Sequence, residues 1–254
     1  MKFGIHILGS GTCVPSVKRA PSGYLMNLDD VYYLFDGGSG TLRQIAAINV
    51  DYTLVDTIFY THLHVDHTAE LLPLLFARKH DPSSKEQKKL NIYGPTGILD
   101  HIHYLDKLAG EWVYTANNNI SVTELTAGSE LKLPGGKVKA YGTYHQANSI
   151  GYRISCDDGR VLCYTGDTDE GEGLIEFLQN ASLAIAECSF PDHNKTKGHL
   201  TPTELGIIAA KAGVKRLVLT HLFPEMDNID AVSIIKEHFT GSVELGEDLT
   251  EYVP

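Results

Sequence analysis

No stretch of the chain comes near the roughly 20 consecutive apolar residues that a membrane-crossing helix needs. The opening MKFGIHILGSG also lacks the charged start, long apolar run and cleavage site of a secretory leader. A soluble protein in the cytoplasm, with no membrane partner, is therefore expected. Cysteine is scarce and unpaired. Cys13, Cys156, Cys163 and Cys188 form no CxxC, which argues against a thiolate zinc ribbon or a disulfide framework and for buried reduced thiols. Positive charge is short as well. The formal net charge of −11 disfavours a broad grip on nucleic acid, which rests on many Lys and Arg contacts to phosphate. A compact nucleotide, or an RNA held by a small local patch, stays compatible with it. No repeat, low-complexity tract or linker-like break divides the chain, so residues 1–254 are expected to form one domain.

What the chain does contain is an alternation of short apolar runs and helical patterns, with 43% apolar residues to fill a core. Strands are expected at FGIHIL, GYLMNL, VYYLFD, TIFYTH, KVKAYGTYH, SIGYRISC, RVLCYTGD, LAIAEC and RLVLTH. Helices are expected at TLRQIAAI, LLPLLFARKH, TGILDHIHYLDKLAG, GEGLIEFLQN, TPTELGIIAAKAG and DAVSIIKEHF, several of which open after Gly, Thr or Pro. DPSSKEQKK reads as a solvated loop and LPGGKVK as a hairpin turn. The pattern is that of a layered α/β sandwich rather than an all-parallel sheet.

One segment concentrates chemistry. In THLHVDH, His62, His64, Asp66 and His67 form HxHxDH at the end of an expected strand. Alternation along an extended chain puts His62 and His64 on one side, so two imidazoles can converge on one ion while the next turn carries Asp66 and His67 elsewhere. That geometry suits two adjacent metals. Imidazole and carboxylate favour zinc, with manganese or iron as alternatives. Further ligands are available where later apolar runs end, at His145 in TYHQ, Asp167 in YTGDTD and His221 in LTHLFP. Polar groups at strand ends join a rigid scaffold to open loops.

Other polar residues give weaker signals. His101 and His103 sit two apart in a helical pattern and cannot chelate together. His6 falls in a strand, His80 and His238 fall at helix ends, and His193 precedes His199 in a loop that could reach substrate. LGSGTCVP lacks both GxGxxG and a P-loop lysine, so it reads as a tight turn at the rim of the site, with Arg19 and Ser22 as candidates to face substrate.

Taken in order, LGSGTCVPSVKRAPSGYL, LFDGGSGTLRQI, THLHVDH, SIGYRI, YTGDT, AECSF, KGHLTPTELG, LTHLFP and GEDLTEYVP resemble the metallo-β-lactamase-fold superfamily, in particular its ribonuclease Z-like and phosphodiesterase branch. The resemblance spans nearly the whole chain. It implies a four-layered αββα sandwich and a hydrolase using two divalent metal ions. One ion would be held by His62, His64 and His145, and the other by Asp66, His67 and His221, with Asp167 bridging. Asp36 would support the ligands from beneath. It further implies that Glu187 and His199 act together as proton donor to the leaving group, so that Asp66, Glu187 and His199 are the candidate catalytic residues. Thr201 and Glu204 behind His199 also form a capping-box pattern.

Two departures bear on substrate. The transfer-RNA-processing relatives carry an RNA-clamping arm between the residues matching His145 and Asp167, and here that path is too short to hold one. The family's acidic position in GEGTQRQ is Ser39 in GSGTLRQ. A small phosphodiester, whether a cyclic nucleotide, a cyclic phosphate or a short oligonucleotide, is accordingly the expected substrate. Transfer RNA 3′-processing is the alternative, followed by hydrolysis of a lactone, thioester or β-lactam on the same metals. Relatives are often dimers, so a homodimer is compatible with the resemblance, although the residues themselves do not specify an oligomeric state.

Overall fold

The computed structural model describes residues 2–81, 89–112, 114 and 119–254. Its first half runs β1 (Phe3–Gly9), β2 (Gly23–Leu28), β3 (Val31–Gly37), α1 (Thr41–Ala47), β4 (Val55–Phe59), α2 (Val65–Thr68), α3 (Leu71–His80), β5 (Leu90–Pro95), α4 (Ile98–Leu108) and β6 (Ile120–Leu125). The second half runs β7 (Glu130–Leu133), β8 (Gly136–Gly142), β9 (Ile150–Cys156), β10 (Val161–Tyr164), α5 (Glu172–Leu178), β11 (Leu183–Glu187), α6 (Pro202–Ala212), β12 (Arg216–Thr220), α7 (Ala231–Lys236), β13 (Ser242–Leu245) and β14 (Thr250–Tyr252). Each expected strand and helix is present. The turn at Pro134–Gly135 joins β7 to β8 as a hairpin, and the polar loop expected at DPSSKEQKK falls at 82–88, outside the described residues.

The strands form two seven-stranded sheets, ordered β14-β1-β2-β3-β4-β5-β6 and β13-β12-β11-β10-β9-β8-β7. Each is half antiparallel and half parallel: β14 through β3 and β7 through β10 pair antiparallel, and the remaining neighbours pair parallel. Strand alternation sorts the side chains. Tyr33 and Phe35 enter the core between the sheets while Leu34 faces the α1, α3 and α4 side; Leu183 and Ile185 face inward while Ala184 and Ala186 meet α5 and α6. The result is the αββα order of layers. No helix among the described residues is long and apolar enough to cross a membrane.

Five strands lacked an apolar run in sequence: β5, β6, β7, β13 and β14. Four of these are the four sheet edges. An edge strand is covered on fewer sides and tolerates charge, as in the partly exposed ELKL of β7 and SVEL of β13, so the hydrophobic signal fades there.

Between the sheets, Phe59 stacks on Phe35 at 5.0 Å and on Tyr93 at 5.1 Å and meets Tyr152 edge-on at 5.2 Å. Three buried tyrosines then carry polar tips across this core. Tyr152 donates to the Tyr60 carbonyl at 2.7 Å, Tyr164 donates to Asp36 at 2.6 Å, and the Tyr24 and Thr220 hydroxyls meet at 2.6 Å. Each contact joins one sheet to the other. Deleting a fully buried aromatic ring leaves a cavity that the flanking sheets cannot close. Phe59→Ala should lower unfolding free energy by about 3–5 kcal/mol, read from the denaturant midpoint; a loss under ~1 kcal/mol would contradict the packing described.

Candidate metal centre

Polar side chains gather at one edge of the sandwich, where parallel strands end. β3 ends in Asp36, β4 leads to His62 and His64 and then to α2 with Asp66 and His67, β8 leads to His145, β10 to Asp167, β11 ends in Glu187, and β12 leads to His221. Carboxyl ends of parallel strands diverge into loops, which leaves room for a ligand there. Gly38 lets α2 lie close, because a Cβ there would stand 2.2 Å from the Asp66 carbonyl oxygen. Asp36 and His221 both hold left-handed backbone, with φ of 53° and 52°. Strain of this kind persists only where surrounding contacts overdetermine it.

For Asp36 those contacts are visible. Its fully buried carboxylate accepts from Thr61 N and Thr61 Oγ1 at 2.8 Å each, from His67 Nδ1 at 2.8 Å and from Tyr164 at 2.6 Å. Because Thr61 Oγ1 gives its proton to Asp36, it accepts from His62 Nδ1, 3.1 Å away. His145 Nδ1 donates to the Gly198 carbonyl at 2.9 Å, and His221 Nδ1 donates to Ser189 Oγ at 2.9 Å. In each of these four histidines the outer nitrogen carries the anchored proton, which turns Nε2, the nitrogen that would offer its lone pair to a cation, inward.

The inward atoms form two groups. His62 Nε2 and His145 Nε2 lie 3.0 and 3.1 Å from His64 Nδ1, and each lies 3.7 Å from Asp167 Oδ2. His221 Nε2 lies 3.5 Å from Asp66 Oδ2 and 3.4 Å from Asp167 Oδ2, while His67 Nε2 lies 3.4 Å from Asp167 Oδ1. Asp167 thus faces both groups. His67 Nε2, His221 Nε2 and Asp167 Oδ1 are buried without a hydrogen-bond partner among the described residues. Unpartnered buried polar atoms are costly and rare, and converging lone pairs are the condition that a divalent cation relieves. The donor set of neutral imidazole and carboxylate fits such ions.

The electrostatics agree. Burial, then the neighbouring positive charge of His67, holds His62 well below the ordinary histidine range, and burial with His145 lowers His64. Burial also opposes charge on His67 and Asp167, but their mutual attraction overrides it. With Asp36 adding to that pull, the His67 pKa stands well above the ordinary value. For Asp167 the surrounding His221, His67 and His62 rings outweigh burial and hold the carboxyl well below its ordinary value.

Beside this cluster, Glu187 is fully buried and fully engaged. Its Oε1 accepts from Thr168 N at 2.6 Å and from His199 Nδ1 at 3.1 Å, and its Oε2 accepts from Ser189 at 2.6 Å and Leu200 N at 3.0 Å. Burial disfavours the charged His199 ring, yet the hydrogen bond and charge of Glu187 raise its pKa.

A family model described as the β-lactamase superfamily domain matches residues 32–222. The chain belongs to the β-lactamase superfamily. Ribonuclease Z of Archaeoglobus fulgidus is 29% identical, over 93% of this chain and 92% of its own. The metallo-β-lactamase-fold protein YhfI of Bacillus subtilis matches with a TM-score of 0.85 at 26% identity, and the short form of human tRNase Z with 0.79 at 27%, each covering 99% of both chains. Like other members of this superfamily the chain is a hydrolase of the metallo-β-lactamase fold, whose sandwich implies divalent metal ions.

In this β-lactamase-superfamily chain, all seven residues expected as ligands converge, and Glu187 with His199 lies alongside. Other expectations are corrected. Ser22 is buried, with its hydroxyl on the Gly11 carbonyl, so it does not face substrate, and Arg19 is paired with Asp227 at 3.4 Å. Cys13 is exposed rather than buried, whereas His193, expected in a loop, does lie exposed in a short turn at Asp192–Asn194. Thr61, Ser189, Asp169 and Lys195 were missed. Thr61 directly precedes the histidine pattern and Ser189 lies two residues past Glu187, which are the only hints the sequence offers. A cleft of about 1160 Å³ opens over His64 and His145 and is lined also by Tyr144, Gln146, Lys195 and Lys197.

Because the metal-free His67 pKa is raised, a proton occupies the Nε2 that a cation needs until pH rises through that value. Metal affinity should therefore fall with decreasing pH while still above the ordinary histidine value of 6.5. Calorimetric titration in buffers of different ionisation enthalpy should show proton release on binding; no release at pH values above that histidine range would contradict the His67 assignment.

Proposed function

We propose that the chain is a phosphodiesterase that hydrolyses a small phosphodiester, such as a cyclic nucleotide, a cyclic phosphate or a short oligonucleotide, with two divalent ions, zinc by donor preference. In this reading His62, His64 and His145 hold one ion, Asp66, His67 and His221 hold the other, and Asp167 serves both. The observation that carries the reading is the hydrogen bond from His199 to Glu187 directly beside the ligand cluster. A diester of an ordinary alcohol expels a strongly basic alkoxide, which makes a positioned acid most valuable.

When bound, the ions supply Lewis acidity toward phosphoryl oxygens and a water of lowered pKa. The chain supplies the rest. Asp66, whose carboxyl stays below its ordinary value against its burial because the His221 and His67 rings stand beside it, is an acceptor able to orient the attacking water. As the bond from phosphorus to the leaving oxygen breaks, the imidazolium of His199 gives its Nε2 proton to that oxygen. Glu187, oriented by four donors, stabilises the imidazolium beforehand and the tautomer afterwards.

The cleft supports a compact substrate. Lys195 is committed to Asp169 at 2.6 Å and to Glu204 at 2.5 Å, whereas Lys197 has no carboxylate partner among the described residues. A long RNA backbone needs many such cations. The hairpin from β9 to β10 passes from Ile150 to Tyr164 without an insertion. Transfer RNA 3′-processing is the second reading, favoured by the names of the relatives that match across the chain.

Asp167→Ala should abolish metal-dependent turnover of bis-nitrophenyl phosphate, since both ligand groups lose a member. His199→Ala should leave metal content intact and slow diesters with alkoxide leaving groups by about 10²–10⁴-fold, with a smaller effect on nitrophenolate. Equal slowing of both would remove the proton-donor role. Efficient cleavage of lactones or thioesters with no diester cleavage would overturn the phosphodiesterase reading, and precursor transfer RNA as the only substrate cleaved would install the second.

A further inference from the structure

Glu187 closes β11, Ser189 follows it after one residue, and both are fully buried. The Ser189 hydroxyl has three neighbours: Glu187 Oε2 at 2.6 Å, His221 Nδ1 at 2.9 Å and the His221 carbonyl at 2.9 Å. A hydroxyl has one proton to give and two lone pairs to offer. The carboxylate is both the nearer and the stronger acceptor, so the proton goes to Glu187 and a lone pair receives His221 Nδ1–H. One line of hydrogen bonds then runs from His221 through Ser189 and Glu187 to His199, with spacings of 2.9, 2.6 and 3.1 Å.

We propose that Ser189 is a positioning residue that ties a metal-facing histidine to the proton-donating pair, so that the tautomer of His221 and the orientation of Glu187 are set by one hydroxyl. This rests on the reading in which His221 holds an ion and His199 protonates the leaving group. Without the hydroxyl, His221 Nδ1–H loses its acceptor and the ring can turn its proton toward the cluster. Glu187 Oε2 keeps only Leu200 N, and the carboxylate, still held at Oε1 by Thr168 N, loses the shorter of the two contacts that fix its Oε2 side. Ser189 touches neither cleft nor inward ligand atoms, so its effect travels through these two partners.

The test uses Ser189→Ala and, to keep the hydroxyl, Ser189→Thr, both checked for folding by circular dichroism. Nitrogen-15 spectra of the histidine rings in metal-free protein report the His221 tautomer, zinc titration reports the two affinities, and paired diesters with alkoxide and nitrophenolate leaving groups report proton donation. Ser189→Ala should lose the His221 Nδ1–H signal, weaken one zinc equivalent by about 10–100-fold while sparing the other, and slow the alkoxide diester more than the nitrophenolate diester. Ser189→Thr should restore all three. A folded Ser189→Ala protein with unchanged tautomer, zinc affinities and leaving-group ratio would overturn the proposal, as would failure of Ser189→Thr to restore them. If wild type cleaves no diester while the tautomer and zinc affinity still shift, the coupling of Ser189 to His221 stands and the phosphodiesterase reading falls.

Discussion

The Asp36 carboxylate is the constraint on which the rest of the site depends. A buried ion costs several kcal/mol unless its lone pairs are met, and here four donors meet them from β10, from α2 and from the backbone and side chain of Thr61. Satisfying that one charge fixes the His67 ring directly and the His62 ring through Thr61. It also draws β10 of one sheet against β3 of the other. The left-handed backbone of Asp36 is the local cost of aiming its carboxylate under the histidine turn.

The same logic recurs on the opposite side. Asp169 accepts from Gly198 N at 2.7 Å, and the Gly198 carbonyl holds His145 Nδ1. Lys195 bonds Asp169 and the His199 carbonyl, each at 2.6 Å, and reaches Glu204, which accepts from Thr201 N at 3.0 Å in the capping box of α6. The loop carrying His199 is thereby fastened to a helix start and to the strand end bearing Asp167. Inward lone pairs and the donor ring are set before any ligand arrives, which is the condition for a preorganised centre.

Much of this was legible in the sequence because ligand chemistry is local in type even where it is distant in space. HxHxDH announced four side chains at once, and His145, Asp167 and His221 each followed an apolar run that became a central strand. The outer contacts were not legible. Thr61, Ser189 and the Gly198 carbonyl act through hydrogen bonds that reach Asp36, His221 and His145 across the fold, and nothing in their neighbouring residues marks a threonine, serine or peptide group for that work. Edge strands escaped for a different reason, since half-buried segments such as ELKL need no continuous apolar run. Ser22 shows the reverse error: a polar residue near the site in sequence is spent on loop structure, its hydroxyl on the Gly11 carbonyl.

The central claim is that the inward lone pairs form two metal positions sharing Asp167. Anomalous diffraction at the zinc edge from crystals grown with zinc tests it most directly. The account predicts two peaks per chain, one among His62, His64 and His145 and one among Asp66, His67 and His221, both within ligand distance of Asp167. A single peak, or a zinc ion bound elsewhere with this cluster empty, would contradict it.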